Sequence, residues 1–181
     1  MKKSIIALLL VLAVVSFGVF ADSTPKSFEV KTTIDAVNDM KLVTASVSTP
    51  AGYGEAAGFT GQVTYDGTDY TDFPYIAAMS NNRAGFTVAL TAKAMESGNA
   101  TGTKTYIGYT VTAGESSVVV AAADTTTVKA DANEKFVISS GTLNVLTAKS
   151  EQVSIAVNAT EYAAAVDGTY TGTIYLTFAA L

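Results

Sequence analysis

Apolar residues recur at every second position in short runs along most of this chain, and that spacing restricts it to half-buried strands, because side chains two apart on a strand share a face. Ser27 to Asp35 places Phe28, Val30 and Ile34 together, Lys41 to Ser48 places Val43, Ala45 and Val47, and Gly85 to Ala92 places Phe86, Val88 and Leu90. Lys104 to Thr112 does the same for Ile107, Tyr109 and Val111, and Glu151 to Asn158 for Val153, Ile155 and Val157. Ser117 to Ala122 and Phe136-Val137-Ile138 are continuous apolar runs, as expected of strands buried on both faces. Turn signals separate the runs: Ala51-Gly52-Tyr53-Gly54, Asp66-Gly67, Asn81-Asn82, Ser97-Gly98-Asn99, Ala113-Gly114-Glu115, Ser140-Gly141 and Asp167-Gly168. Short strands punctuated in this way predict an all-β, antiparallel sandwich or barrel. The helical candidates, Tyr162 to Val166 and Asp124 to Lys129, are too short to change the class, each readable as a strand end or a single turn.

Residues 1–21 follow a different rule. Lys2 and Lys3 precede an apolar stretch from Ile5 to Phe20, and Val19-Phe20-Ala21 offers small residues where a signal peptidase reads them. The stretch is broken by Ser16 and Gly18 and falls short of the ~20 residues that span a bilayer. The expectation is a cleaved signal peptide over 1–21, one domain over 22–181, and export to the periplasm, the cell surface or the medium. Membrane contact is then limited to the transient leader.

Composition narrows the chemistry. There is no Cys, His or Trp, which excludes Ser-His-Asp and Cys-His nucleophile systems, zinc held by imidazole or thiolate, and a disulfide framework. Residues 22–181 hold 26 Thr against 6 Leu, a bias towards pleated surfaces. They carry nine Lys and Arg against 16 Asp and Glu, scattered singly, so the basic stripe that nucleic acid requires is missing. No cofactor is expected, and the chain reads as non-catalytic.

The last run, Asp167 to Phe178, reads as one strand: Tyr170, Ile174, Leu176 and Phe178 on one face, Thr169, Thr171, Thr173, Tyr175 and Thr177 on the other, opened by Gly168. A glycine fourteenth from the end, a tyrosine two residues on and alternating apolar positions to the terminus resemble the final strand of pilin-type and spore-coat-U-type subunits. Asn81 to Val88 and Tyr106 to Val111 are similar to mid-domain strands of such proteins. The same Gly-x-Tyr-x-Gly-x-Ile run is also similar to the closing strand of cell-wall WxL domains, although their tryptophans are absent. The pilin cysteine pair and penultimate tyrosine are absent too, with Ala180 in the latter place.

The resemblance implies an incomplete immunoglobulin-like sandwich, in which the N-terminal extension of one subunit fills a groove in the next by β-strand addition. Phe28, Val30, Thr32 and Ile34, within residues 22–35, would be the donor positions, and Gly168, Tyr170, Ile174, Leu176 and Phe178 would belong to the accepting strand. The partners implied are further copies of the chain and an export chaperone. Residues 27–35 also read as the first strand of a complete, self-contained sandwich, since every exported sandwich needs one, and the chain then as an exported binding module for carbohydrate or a surface protein.

Other clusters are weaker. Asp66, Asp69 and Asp72 could offer oxygen ligands to calcium, but their spacing is not that of an EF-hand loop. Tyr65, Tyr70, Tyr75 and Phe73 could line a sugar-binding surface. Asn99-Ala100-Thr101 and Asn158-Ala159-Thr160 match the glycosylation pattern.

Overall fold

The structure is a computed structural model that describes residues 29–181 apart from 68–69, 72 and 99–101. Residues 1–21, Phe28, Asp69, Asp72 and Asn99 lie outside the described residues, and with them the leader and part of the calcium and donor-strand expectations. The described residues are mostly strand, with two short helices and antiparallel pairing throughout. No helix among them is long and apolar enough to cross a membrane.

One sheet has five strands, in the order β1 (Asn38–Val43), β4 (Tyr75–Ser80), β12 (Thr147–Val157), β8 (Tyr109–Ala113) and β9 (Ser116–Val120). The first half of β12 pairs with β4 (Thr147 opposite Ser80) and the second half with β8 (Val157 opposite Tyr109). β8 and β9 form a hairpin around Gly114-Glu115. The second sheet is centred on β5 (Phe86–Ala92), with β10 (Lys129–Ala130) and β11 (Ile138–Ser140) along one side and β14 (Ile174–Ala180) along the other. Two smaller sheets complete the fold: β6 (Met95–Ser97) between β7 (Tyr106–Ile107) and β13 (Tyr170–Thr171), and the hairpin of β2 (Thr64–Tyr65) with β3 (Tyr70–Thr71).

A single main core joins both large sheets. Phe86, Val88 and Leu90 of β5 meet Tyr109 and Val111 of β8, Val118 and Val120 of β9, and Val153 of β12. These are the residues that alternation puts on inward faces. A smaller cluster, Val43, Val47, Tyr53, Ala77 and Ala148, sits on the other face of the five-stranded sheet. It is roofed by α1 (Pro50–Glu55), which starts with Thr49 as its cap and Pro50 in the first turn. Lys41 lies 4.5 Å over the Tyr53 ring, a cation–π contact that closes the cluster.

Several expectations are corrected. Residues 29–35 form no strand; β1 begins at Asn38 and ends at Val43, leaving Ala45 exposed. β9 is not buried on both faces, since Val118 and Val120 are buried and Val119 is 69 % exposed. Phe136 precedes β11 and is exposed. The Asp124 to Lys129 segment, by contrast, is a turn that runs into β10, as one of its readings has it: the Asp124 carboxylate accepts from the Ala121 amide at 2.9 Å and pairs with Lys129 at 3.1 Å. The second helix, α2 (Ala159–Ala164), begins three residues before Tyr162, capped by the Asn158 side chain.

The expected single strand from Asp167 to Phe178 is in fact two. β13 pairs with β6 and β14 with β5, and the break falls at Gly172-Thr173. A Cβ at Gly172 would stand 2.8 Å from Met95 and 3.2 Å from the Tyr109 ring. Only a bare backbone passes there, and the chain changes sheets at that point.

Candidate functional site

β14 has β5 on one side, in unbroken register from Ile174 opposite Ala92 to Ala180 opposite Phe86. On its other side no strand pairs with it among the described residues. Its inward positions, Ile174, Leu176 and Phe178, are only half-buried, yet they pack on the main core. Phe178 stacks on Phe86 with ring centroids 5.4 Å apart and planes 18° from parallel. The outward positions Tyr175, Thr177 and Ala179 are exposed.

The neighbour across this seam is β1, the outer strand of the five-stranded sheet, whose Met40 and Leu42 also pack half-buried against the core. β1 and β14 approach without pairing. Part of the outer edge of β1 is already used: the Phe59 amide donates to the Leu42 carbonyl at 2.9 Å and the Thr44 amide to Ala57 at 3.2 Å. The edge of β14 carries no such cover among the described residues. An uncovered edge over half-buried apolar side chains is a template for another strand.

The segment that leads into β1 is anchored by Asn81. Its side-chain oxygen accepts from the Val37 amide at 2.8 Å and its amide nitrogen donates to the Asp35 carbonyl at 2.8 Å. Upstream of that clamp, Val30 is 82 % exposed, Ile34 is 80 % exposed and Thr32 is exposed. Alternating apolar side chains in that state have no core of their own.

The remaining candidates disperse. Gly168 has φ +145° and Tyr170 belongs to β13, where its hydroxyl bonds Thr105 at 2.7 Å and the Val166 carbonyl at 3.1 Å. Neither lies on the β14 edge. Asp66 is exposed, and the described residues contain no group of three acids placed to hold a metal. Tyr65 and Tyr75 do not share a surface: Tyr65 packs edge-on against Tyr162, with centroids 5.1 Å apart, whereas Tyr75 packs into the smaller cluster under α1. Asn158 spends its side-chain oxygen on the Thr160 and Glu161 amides. No family model matches the chain, and neither a curated protein nor a solved structure matches it.

Proposed function

We propose that this chain is a non-catalytic, exported structural subunit that assembles with copies of itself by β-strand addition, residues 28–34 of one copy pairing with the β14 edge of the next. The observation that carries this reading is the edge of β14, which no strand among the described residues covers, with Ile174, Leu176 and Phe178 half-buried beneath it. The strand order supports it. β1-β4-β12-β8 in one sheet and β5-β14 in the other follow the A-B-E-D and C-F orders of an immunoglobulin-like sandwich, and beyond β14 is the place of its last strand.

The spacings agree as well. Phe28, Val30, Thr32 and Ile34 repeat every second residue, as do Ile174, Leu176 and Phe178, so both strands present side chains every ~7 Å. Burying Val30 or Ile34 fully contributes about 1.5–3 kcal/mol. Association costs roughly 4–15 kcal/mol in lost freedom. One side chain is therefore insufficient, and several pockets acting with a backbone ladder are required. Until it is paired, such an edge needs cover, which gives an export chaperone its role.

The test is a ladder. Mature protein purified from its own envelope should run as a series of multimers in unheated detergent gels, and Val30→Asp with Ile34→Asp should abolish the ladder while leaving the unfolding midpoint of the monomer unchanged. Wild-type protein that stays monomeric at every concentration overturns the reading.

A further inference from the structure

A strand added to β14 can run with it or against it, and the corner around Asn81 and Asn82 makes the two products different. Asn81 holds the Asp35 carbonyl and the Val37 amide. Asn82 beside it donates from its side-chain amide to the Leu181 carbonyl at 2.9 Å, and the Leu181 amide donates to the Gly85 carbonyl at 3.0 Å. The end of β14 and the point where residues 28–34 join the fold therefore share one corner. Ile34 adjoins Asp35, so a donor strand stays close to its own corner: from Ile34 to Val37 the chain reaches about 10 Å at full extension, whereas β14 from Ile174 to Ala180 is about 20 Å long.

Running against β14, the donor brings its Ile34 beside the acceptor's Ile174. The donor's corner then meets the far end of the acceptor, whose own segment leaves from the opposite end, and the assembly grows open and head to tail. Running with β14, the donor brings Ile34 beside Ala180 and Phe28 beside Ile174. Two like corners then meet, each segment starts where the other copy's edge ends, and the exchange is reciprocal and closes as a two-fold pair.

Side-chain size favours the second direction. A cleft of about 560 Å³ opens at the Ile174 end of β14, lined among the described residues by Met95, Ile155, Val157 and Ile174. Phe28 is the only aromatic residue among the donor positions, and it finds room there; the other end, where Leu181 is tied down by two hydrogen bonds, suits the smaller Ile34. Reciprocity adds to this, because once one segment has docked, the second pairs within the same complex at a high effective concentration. A parallel ladder is slightly less stable per residue than an antiparallel one, so such a pair can give way to head-to-tail growth.

Resting on the strand-addition reading, we propose that unassembled copies of this chain are stored as closed pairs, in which residues 28–34 of each copy run parallel to β14 of the other and Phe28 fills the cleft beside the other copy's Ile174. The chain has no cysteine, so disulfide trapping reads the direction. Thr33, Tyr175 and Ala179 are exposed and take the outward positions; Thr33 meets Ala179 in the parallel register and Tyr175 in the antiparallel one. Residues 22–181 carrying Thr33→Cys with Ala179→Cys, oxidised with copper-phenanthroline, should give a covalent dimer and nothing larger. Thr33→Cys with Tyr175→Cys should cross-link several-fold less, and the single-cysteine variants set the background. A ladder of multimers from the Tyr175 variant, with the Ala179 variant silent, overturns the closed pair and leaves strand addition standing. Equal cross-linking by both variants overturns it as well, as do multimers, or a disulfide closed within one chain, from the Ala179 variant. Cross-linking at background level in both overturns strand addition itself.

Discussion

Gly85 joins β4 to β5 at φ +102°, and a Cβ built there would lie 2.0 Å from the Ser140 carbonyl oxygen. Both the backbone conformation and the space exclude a side chain. Gly85→Ala should therefore cost more than about 2 kcal/mol, read as a lower urea midpoint with an unchanged slope. Asp131 works through charge. Its carboxylate accepts from the Ser117 amide at 2.8 Å and the Asn133 amide at 2.7 Å, tying the end of β10 to β9. Those two bonds, the Ser117 one foremost, hold its pKa below the ordinary 3.8. A carboxyl group depressed in the folded state stabilises the fold above its unfolded pKa, and that contribution is lost as pH falls through the folded value. Asp131→Asn should be less stable than wild type at neutral pH, and the two unfolding curves should converge as pH drops below 3.8. Parallel curves down to the acid limit would remove Asp131 from this role.

Among the elements, α1 is short enough to depend on its cap. The Thr49 hydroxyl accepts from the Gly52 amide at 3.1 Å, and Thr49→Ala should lower stability by about 1 kcal/mol, measurable by thermal unfolding. Gly52 and Gly54 make Ala51 to Gly54 read as a turn in the sequence, so the helix goes unrecognised there although Thr49 and Pro50 stand where a cap and a first turn need them. β4 was hidden for another reason. It lies between β1 and β12, and Ile76, Ala77 and Ala78 are all fully buried, so no alternation marks it. β5, β8 and β14 were legible because each has one inward face, and period two reports that directly. The division at Gly172 was not legible, because the reason for it is the Tyr109 ring, which stands 63 residues earlier in the chain.

For the molecule as a whole, the strand-addition reading makes stability a function of what occupies the β14 edge. A synthetic peptide of residues 27–35, added to a chain of residues 36–181, should raise its melting temperature. At a hundredfold excess over the dissociation constant the gain is about 2.7 kcal/mol. A peptide with Val30 and Ile34 replaced by Asp should give no shift. An equal shift from both peptides would mean that the edge does not read the alternating side chains. On that reading, the negative net charge of residues 22–181 would keep free copies apart without blocking an edge whose lining is apolar.

The pairing of β5 with β14 joins residues 82 to 94 positions apart. Closing so long a loop adds little to the equilibrium cost, since that term grows only logarithmically with length, but it slows folding, because distant contacts must wait for the chain between them. As the chain is synthesised, β5 is complete long before its partner is made. For that interval the central strand of the second sheet holds Phe86, Val88 and Leu90 ready with one flank vacant, so the order in which the chain emerges sets when it is most prone to pairing with the wrong neighbour.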